Sequence, residues 1–215
     1  MEVSIIIPVH NAEKYIGRAI RSVLDQTFDK NRFEVIVVND ASTDNTSKIL
    51  DYYSNRIKVI NLKKKKGLAY ARNEGIRLSS GRYTVCLDAD DYMYNDLIYI
   101  ESSFLNLNPQ WDAVSCDYVI VNEHEEHIKR IDGGKKPIAC GIMFRVERLI
   151  DIGLYDPEFE ANEEKDLRMR LEKKNYVIKN IELPLYRYRQ HSSNLTKNKS
   201  MMEKYDKLLK QKHNL

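Results

Sequence analysis

The chain has 215 residues, which is enough for one well-buried domain with a small appendage. Hydrophobic residues make up 42% of the sequence and charged residues 31%, a composition typical of a folded globular protein and unlike that of a disordered chain. The 35 basic and 32 acidic residues give a net charge of only +3, which argues against a dedicated nucleic-acid-binding protein.

The first half of the chain alternates apolar runs with helical patterns. Nearly continuous apolar runs predict strands that are buried on both faces, at residues 3–9, 33–38, 57–62 and 83–87. Between these runs, apolar residues recur at helical spacing, and we expect Asn11 to cap the first helix. Ser42 and Thr43 precede the second helix, and Leu68 starts the apolar stripe of the third. This alternation predicts a parallel sheet with helices on its faces.

The second half of the chain does not continue the regular alternation of strand and helix patterns. It predicts helices at residues 95–107, 146–152 and 163–174. The strands that it predicts lie at residues 113–121, 138–144, 176–181 and 185–188. The stretch 123–136 is polar and contains the turn Gly133-Gly134, and the Lys- and Asn-rich end of the chain predicts a helical tail at 196–215. Because we find no internal repeat and no Gly/Ser linker, we expect one domain over residues 1–195 followed by this tail.

Targeting signals and cysteine usage predict a cytoplasmic location. The first residues, MEVSIIIPVHN, lack the basic start and the long apolar run of a signal peptide. No stretch approaches the ~20 apolar residues that a membrane span requires. The three cysteines, Cys86, Cys116 and Cys140, are widely spaced without a CxxC pair, which favours buried free thiols in a reducing compartment over zinc or redox chemistry. Peripheral contact with the inner face of the membrane stays open.

Polar residues follow the predicted parallel strands at their carboxyl ends, where ligands bind in open sheets. These segments are Pro8-Val9-His10-Asn11, Asn39-Asp40, Lys63 to Gly67, and Asp88-Ala89-Asp90-Asp91. The last segment places three carboxylates within four positions, and their mutual repulsion calls for a positive partner. Hard carboxylate oxygens select Mg²⁺ or Mn²⁺, which often bind substrate phosphates as well. Neither GxGxxG nor GxxxxGK[ST] is present, so the sequence predicts neither a Rossmann dinucleotide site nor a P-loop.

Four segments carry a resemblance to a known family. In chain order they read SIIIPVHNAEKYIGRAIRSVLDQTF, VIVVNDASTDNT, KKGLAYARNEGIRLSSGRYTVCLDADDY and NEEKDLRMRL. Together they resemble glycosyltransferase family 2, over residues 2–195. The resemblance implies the GT-A fold, a Rossmann-like α/β fold with a mostly parallel central sheet flanked by helices. Residues 1–91 would bind the donor, and residues 92–195 would form a smaller acceptor and catalytic half.

The resemblance also implies the reaction and the molecules that take part in it. Members of this family transfer a sugar with inversion from a nucleotide-diphosphate donor to an acceptor hydroxyl. We expect a UDP-sugar as the donor and a saccharide or lipid-linked acceptor, in the synthesis of a cell-surface polysaccharide or glycoconjugate. We expect Mn²⁺ or Mg²⁺ as the cofactor, because it neutralises the charge that grows on the departing diphosphate.

By the same resemblance, most of the site residues contact the donor or the metal. The residues expected at the nucleotide sugar are Pro8, Val9, His10, Asn11, Asp40, Arg72, Asp88 and Ala89. A carboxylate such as Asp40 can accept a hydrogen bond from a uracil N–H. Arg72 would lie near the donor; otherwise it is a solvated helix charge. The metal site would comprise Asp88, Asp90 and His191. Asp90 would be the direct ligand, Asp88 would touch the ribose or a metal-bound water, and His191 would approach the metal or the diphosphate.

The general base is expected to be Glu164. An inverting transfer needs a group that takes the proton of the acceptor hydroxyl. Family members typically show Glu-Asp followed by x-Asp-Leu at a helix start, whereas this chain reads Glu163-Glu164-Lys165-Asp166-Leu167. Glu164 thus stands at the usual aspartate position with an arm longer by one methylene. Alternatively, these acidic residues only compensate the dipole of the first helical turn.

Three other functions compete with this one. The Glu164 substitution favours a catalytically silent module that binds nucleotide sugars. A phosphatase of the haloacid dehalogenase type also uses Asp-x-Asp at a strand end, but after an early strand and before Thr or Val, whereas Asp91-Tyr92 follows here. A nucleotidyltransferase should carry a Gly-rich start in place of PVHNAE.

The Lys-rich segment after Lys197 suggests contact with an anionic membrane surface. The sugar, the acceptor, the linkage and the oligomeric state are not predicted.

Overall fold

Four parallel strands form the first part of a nine-stranded sheet in the computed structural model, which describes residues 1–192 and 194–215. They are β1 (Val3–Val9), β2 (Phe33–Asn39), β3 (Lys58–Asn61) and β4 (Tyr83–Cys86), in the spatial order β3-β2-β1-β4. The connecting helices are α1 (Ile16–Leu24), α2 (Thr46–Tyr52) and α3 (Leu68–Arg77). Every residue of β1, β2 and β4 is buried, as expected for strands covered on both faces.

The second part of the sheet mixes parallel and antiparallel pairs. Its strands are β5 (Tyr92–Met93), β6 (Ala113–Val121), β7 (His127–Ile131), β8 (Ile142–Arg145) and β9 (Ile178–Arg189). From β4 the order continues β8-β6-β9-β5, with β7 paired to β6; β6 and β9 run parallel and the other pairs are antiparallel. The helices are α4 (Leu97–Leu107), α5 (Val146–Asp151), α6 (Glu163–Lys173) and α7 (Lys199–His213), with a 3₁₀ turn at Leu195–Lys197.

The predicted α/β class with helices flanking the sheet is confirmed, and so are the first four parallel strands. The main hydrophobic core packs the sheet against its helices. Gly75 lets α3 lie directly on β1, because a Cβ there would come within 2.4 Å of the Ile6 side chain. The three cysteines are buried free thiols, as expected. Of the helices formed by the described residues, none has the length and apolar character to cross a membrane.

The prediction that Asn11 caps the first helix was wrong. The helix begins at Ile16, after Tyr15, and Asn11 lies in the preceding loop with a left-handed φ of 51°. Its side chain accepts a hydrogen bond from the Thr43 backbone N–H at 2.7 Å, and its own N–H donates to the Ser42 hydroxyl at 3.0 Å. Asn11 therefore ties the loop after β1 to the loop after β2, which prevents its side chain from capping α1.

Three strand predictions also need correction. The strand predicted at 138–144 begins only at Ile142, because Gly141 adopts a φ of 66° and a Cβ there would lie 2.8 Å from the Tyr186 ring. The two strands predicted at 176–181 and 185–188 form one strand, β9, whose register with β6 shifts near Pro184. The polar stretch 123–136 contains β7, which pairs along the edge of β6.

A second, smaller core attaches the C-terminal helix to the domain. Phe159 and Ala161, which precede α6, pack with Tyr205 and Leu209 of α7. The predicted helical tail is thus a packed helix, and the domain boundary at residue 195 stays a prediction. This packing places α7 beside the first turn of α6.

Candidate active site

A cleft of about 1010 Å³ lies at the carboxyl ends of β1, β2 and β4. The loops that follow these strands form one part of its lining, and the start of α6, the segment after β9 and the start of α7 form the other. Every residue assigned to the site from the sequence lines this cleft: Pro8, Val9, His10, Asn11, Asp40, Arg72, Asp88, Ala89, Asp90, Glu164 and His191. The structure therefore brings together residues that are far apart in the chain.

Asp40 organises the loops on the proposed nucleotide side of the cleft. Its buried carboxylate accepts hydrogen bonds from the backbone N–H groups of Lys66, at 2.6 Å, and Gly67, at 2.8 Å. The ring Nδ1 of His10 donates to the Asp40 carbonyl oxygen at 2.7 Å. Each carboxylate oxygen has two lone pairs, so the carboxylate retains the capacity to accept a base N–H. The expected contact of Asp40 with a uracil stays a prediction.

The carboxylates after β4 have separate positive or hydrogen-bonding partners. Asp88 Oδ1 pairs with the Arg72 guanidinium at 2.9 Å, and Asp90 Oδ2 accepts a hydrogen bond from His191 Nε2 at 2.7 Å. Burial raises the pKa of the Asp90 carboxyl, as does the nearby charge of Asp88. Arg72 and His191 are therefore the protein groups that offset the repulsion within the cluster.

The third carboxylate of the cluster, Asp91, points into the protein. It accepts hydrogen bonds from the Tyr186 hydroxyl and the Arg189 backbone N–H, each at 2.8 Å. Its side chain is buried, and burial followed by the charges of Asp90 and Asp88 raises its pKa well above the usual value. The Tyr186 hydroxyl also accepts a hydrogen bond from the Asp88 backbone N–H. This network therefore fixes the backbone of the loop that carries Asp88 and Asp90.

Arg72 is fully buried, so the alternative of a solvated helix charge was wrong. Its guanidinium bonds Glu163 at 2.5 Å as well as Asp88 at 2.9 Å, and it lies 5.2 Å above the Tyr155 ring. Cys140 Sγ is 3.5 Å from the same guanidinium. Arg72 thus joins α3 in the first half of the chain to α6 in the second. Its expected contact with the donor stays a prediction.

The three acidic residues in the first turn of α6 have different surroundings. Glu163 pairs with Arg72, and Asp166 is buried in ion pairs with Arg170 and with Lys212 of α7. Glu164 lines the cleft and forms no ion pair with any described residue. Burial, and next the charge of Glu163, raises the pKa of Glu164 to about 7. A carboxyl with that pKa can take a proton at neutral pH, as a general base must.

Asp90 and His191 fit a divalent cation. They present one carboxylate oxygen and one ring nitrogen, which lie 2.7 Å apart, and both kinds of atom are ligands of divalent cations in proteins. The Tyr15 ring stacks on the His191 ring, with centroids 4.8 Å apart, and holds it in place. Mg²⁺ typically takes one or two carboxylates from the protein and oxygens from substrate phosphates. Among residues 1–192 and 194–215, no group of three His, Cys, Asp or Glu side chains forms a metal site.

Arg189 contacts residues of the site without lining the cleft itself, and the sequence analysis missed it. Its buried guanidinium donates to the Asp90 carbonyl oxygen at 2.8 Å and pairs with Glu125 at 2.8 Å. It also lies over the Tyr15 ring, 5.4 Å from the centroid. Its position two residues before His191, in the Arg-x-His segment, was the signal that could have identified it. Nothing in the sequence distinguished Tyr15 from a surface aromatic residue.

A sequence model of Glycosyl transferase family 2 matches residues 4–149. The chain belongs to this family. This membership confirms the resemblance and the enzyme class, a glycosyltransferase, and it disfavours the phosphatase alternative. GlyG of Streptococcus pneumoniae is 34% identical over 150 residues, which cover 68% of this chain and 46% of GlyG. The chain spans 19% to 64% of the length of the first curated relatives that it matches.

Two solved structures share the fold. Staphylococcus aureus TarS 1-349 in complex with UDP-GlcNAc matches with a TM-score of 0.80 at 23% identity, covering 92% of this chain and 61% of that one. Mannosyltransferase PcManGT from Pyrobaculum calidifontis, in complex with GDP-Man and Mn²⁺, matches with a TM-score of 0.74 at 19% identity, covering 90% and 58%. At these identities the likeness shows the fold, which is the GT-A fold that the resemblance implied.

Proposed function

We propose that this chain is a metal-dependent inverting glycosyltransferase that moves a sugar from a UDP-sugar to an acceptor hydroxyl. The observation that carries the proposal is a single cleft that Asp88, Asp90 and His191 share with Glu164, a carboxyl with a pKa of about 7. Family membership supports the transfer, and the fold shared with TarS in complex with UDP-GlcNAc supports the donor class.

On the donor side, the protein provides the groups that hold the nucleotide and a cation. The loop from Pro8 to Asn11, with Asp40, would bind the base and ribose. Asp90 and His191 would hold Mn²⁺ or Mg²⁺, with Asp88 beside them. The bound cation would neutralise the charge that develops on the departing diphosphate. The Mn²⁺ in the structure of PcManGT, which has the same fold, supports this cofactor.

On the acceptor side, Glu164 would take the proton of the attacking hydroxyl. As the acceptor oxygen forms its bond to the anomeric carbon, the bond from that carbon to the diphosphate breaks on the opposite face. UDP leaves with the electron pair, and the anomeric configuration inverts. Because burial keeps the pKa of Glu164 near 7, its ionised fraction is substantial at neutral pH while its proton affinity stays high.

The acceptor is proposed to be a saccharide or a lipid-linked saccharide, within the synthesis of a cell-surface polymer. Two relatives support this class by their names. One is the poly(ribitol-phosphate) β-N-acetylglucosaminyltransferase TarS of Staphylococcus aureus, and the other is TuaG of Bacillus subtilis, a putative teichuronic acid biosynthesis glycosyltransferase. A cytoplasmic location, from which nucleotide sugars are available, accords with this role.

The test is a panel of nucleotide sugars with and without Mn²⁺. UDP-GlcNAc, UDP-Glc, UDP-Gal, UDP-GalNAc and GDP-Man are compared by thermal stabilisation and by the release of free nucleotide. We expect stabilisation by UDP-sugars that depends on the metal, and we expect calorimetry to show that Asp90→Ala loses the Mn²⁺-dependent part of UDP affinity. Asp25→Ala, at an exposed carboxylate at the end of α1, is the matched control. If Asp90→Ala binds UDP with unchanged affinity in Mn²⁺, the proposed metal dependence is wrong.

A catalytically silent binding module is the second candidate, favoured by Glu164 at the position of the usual aspartate. It predicts metal-dependent binding of UDP-sugars without any release of UDP, either to water or to an added acceptor. The panel separates the two functions in one direction, because metal-dependent hydrolysis of any donor would exclude the silent module. Binding without hydrolysis in every member of the panel would favour the silent module.

A further inference from the structure

The C-terminal helix forms part of the cleft. Met201 and Met202, at the start of α7, line it together with Glu164. Further along α7, Tyr205 and Leu209 pack against Phe159 and Ala161, which directly precede α6. The family match ends at residue 149, so neither α6 nor α7 lies in the matched region. Contacts between α7 and α6 can therefore act on the proposed base.

One contact reaches the residue immediately before α6. Asn162 is 3% exposed and has a left-handed φ of 62°, a conformation that asparagine adopts more readily than most residues. Its side-chain Nδ2 donates to Asp206 Oδ1 of α7 at 2.8 Å. Because a carboxylate can only accept, the amide orientation is determined, with the NH₂ group toward Asp206. Its Oδ1 is buried and has no hydrogen-bond partner among the described residues.

Asn162 does not use its side chain in the way that its position suggests. Asparagine before a helix normally accepts a hydrogen bond from a backbone N–H of the first turn. Here the side chain makes no such bond and binds α7 instead. The start of α6 is consequently held by Asp206 through Asn162 and by Arg72 through Glu163, in addition to the ion pairs of Asp166 one turn further on. Glu164 follows directly after these two held residues.

We propose that Asp206 is a positioning residue for Glu164, acting through Asn162 on the first turn of α6. The proposal rests on the proposed role of Glu164 as the base. Asp206 also contacts Lys165 at 3.2 Å, but both of these side chains are nearly half exposed, and ion pairs of that kind contribute little to stability. The hydrogen bond to buried Asn162 is therefore the contact that matters.

Other contacts keep α7 attached when Asp206 is replaced. Lys212 and His213 of α7 bond the buried Asp166 carboxylate at 2.7 and 2.8 Å, and Lys212 also pairs with Asp156. The packing of Tyr205 and Leu209 is untouched by a change at Asp206. A variant at Asp206 should thus fold, with its effect confined to the start of α6.

The test compares Asp206→Ala, Asp206→Asn and the control Glu203→Ala, which removes an exposed carboxylate from the same helix. The assay follows UDP release from UDP-GlcNAc, or from the most active donor of the panel, in Mn²⁺. A misplaced reacting group costs up to ~10²-fold, so we expect kcat of Asp206→Ala to fall by about 10- to 100-fold. The donor KM and the calorimetric UDP affinity should not change. Asp206→Asn keeps an acceptor oxygen for Asn162 and should restore most of the rate, and Glu203→Ala should match the wild type.

Hydrogen–deuterium exchange provides a readout that does not depend on turnover. Asp206→Ala should exchange faster than the wild type in peptides covering residues 162–168, with no change in residues 33–39. Wild-type kcat and wild-type exchange in Asp206→Ala would overturn the proposal. A lower Tm with wild-type kcat would also overturn it, because the role would then be structural only. If Glu164→Gln is fully active while Asp206→Ala is slow, the assigned base fails and the effect of Asp206 belongs to another residue of α6.

Discussion

Glu164 is the acidic residue of the first turn of α6 whose surroundings suit proton transfer. Glu163 is held by the Arg72 guanidinium, and Asp166 by Arg170 and the end of α7, so both carboxylates already have direct partners in the protein. Glu164 faces the cleft in a partly buried setting beside Glu163, which disfavours its charge. The helix dipole alone would act on all three residues alike, so their differences arise from their tertiary contacts.

We expect Glu164→Gln to lose UDP release and sugar transfer by ~10²–10⁴-fold, the usual contribution of a general base, while UDP and Mn²⁺ affinity stay unchanged. Gln retains the shape and hydrogen bonding of Glu but cannot take a proton. Steady-state kinetics and calorimetry measure the two effects separately. Glu172→Gln, at an exposed position on the same helix, is the control. Full activity in Glu164→Gln together with loss in Glu163→Gln would assign the base to Glu163.

The pKa of Glu164 also predicts two pH dependences of opposite sign. Activity should rise as pH increases through about 7, because the base must be ionised. Stability should change the other way: the folded-state pKa lies above the ordinary value of 4.5, so the folded protein holds the proton more tightly than the unfolded chain. The stability associated with protonated Glu164 is therefore lost as pH rises from about 4.5 through about 7. Urea unfolding of the wild type and Glu164→Gln across this range should show the mutant gaining relative stability with pH.

At the scale of elements, the parallel strands are joined by a buried carboxylate at the end of the sheet opposite to the cleft. Glu34, near the start of β2, accepts hydrogen bonds from the Ser4 hydroxyl of β1 and from the Ser80 backbone N–H, each at 2.7 Å. Lys58 of β3 pairs with it at 2.5 Å. Burial by itself would raise the pKa of Glu34, but these hydrogen bonds outweigh it and lower the pKa from 4.5 to about 2.

We expect Glu34→Gln to lower the free energy of unfolding at pH 7 by about 1–3 kcal/mol, because an amide leaves some of these donors unsatisfied. The stability from ionised Glu34 is present above pH 4.5 and is lost as pH falls toward 2, so the difference between wild type and mutant should shrink over that interval. Urea unfolding at several pH values measures it. Glu74→Gln, which removes a surface pair with Arg77 on α3, should change stability by less than about 1 kcal/mol. A constant difference down to pH 2 would contradict the proposed cause.

The parallel strands β1, β2 and β4 could be predicted because full burial demands continuous apolar runs, which are visible in the sequence, whereas β3 is exposed or half-buried along its length. β5 could not, since two residues carry no periodicity, and β7 reads as a polar loop because its residues lie exposed on a sheet edge. Within the site, Asp88, Asp90 and Glu164 stand at element boundaries, where residue type and spacing are informative. The pairing of Arg72 with Glu163 joins positions 91 residues apart, and local sequence patterns do not contain that information.

At the scale of the whole molecule, α7 presents a lysine-bearing face to solvent. Apart from Lys212, which pairs with Asp156 and Asp166, its exposed basic residues are Lys199, Lys204, Lys207 and Lys210. Deleting residues 197–215 would remove Tyr205 and Leu209 from a buried cluster, so truncation is a poor test of this face. Substitution of the lysines leaves the packing intact.

We expect the variant with all four lysines changed to Gln to float less well than the wild type with vesicles of equal parts phosphatidylcholine and phosphatidylglycerol. Each cation near an anionic surface contributes ~1 kcal/mol to binding, so the loss of all four should weaken binding to these vesicles strongly. Vesicles of phosphatidylcholine alone should recover neither protein. Equal recovery of both proteins with the anionic vesicles would dismiss membrane contact through α7.

The two halves of the chain meet at Arg72, whose buried charge is balanced by one carboxylate from each half, Asp88 and Glu163. Removing one partner of a buried ion pair costs about 3–5 kcal/mol, because the remaining charge is left uncompensated. We therefore expect Arg72→Met to lower the free energy of unfolding by about that amount in urea titrations. Arg77→Met, on the exposed side of the same helix, should change it by less than about 0.5 kcal/mol.

A double variant identifies the cause of that loss. If the uncompensated charge is responsible, Arg72→Met combined with Glu163→Gln should be more stable than Arg72→Met alone, because one of the two stranded carboxylates is gone. Arg72→Lys should not restore the wild-type free energy of unfolding, because an ammonium group lacks the planar guanidinium geometry that bonds both carboxylates at once. If the double variant is no more stable than the single one, Arg72 acts mainly through its packing on the Tyr155 ring, and the charge network is not what joins the halves.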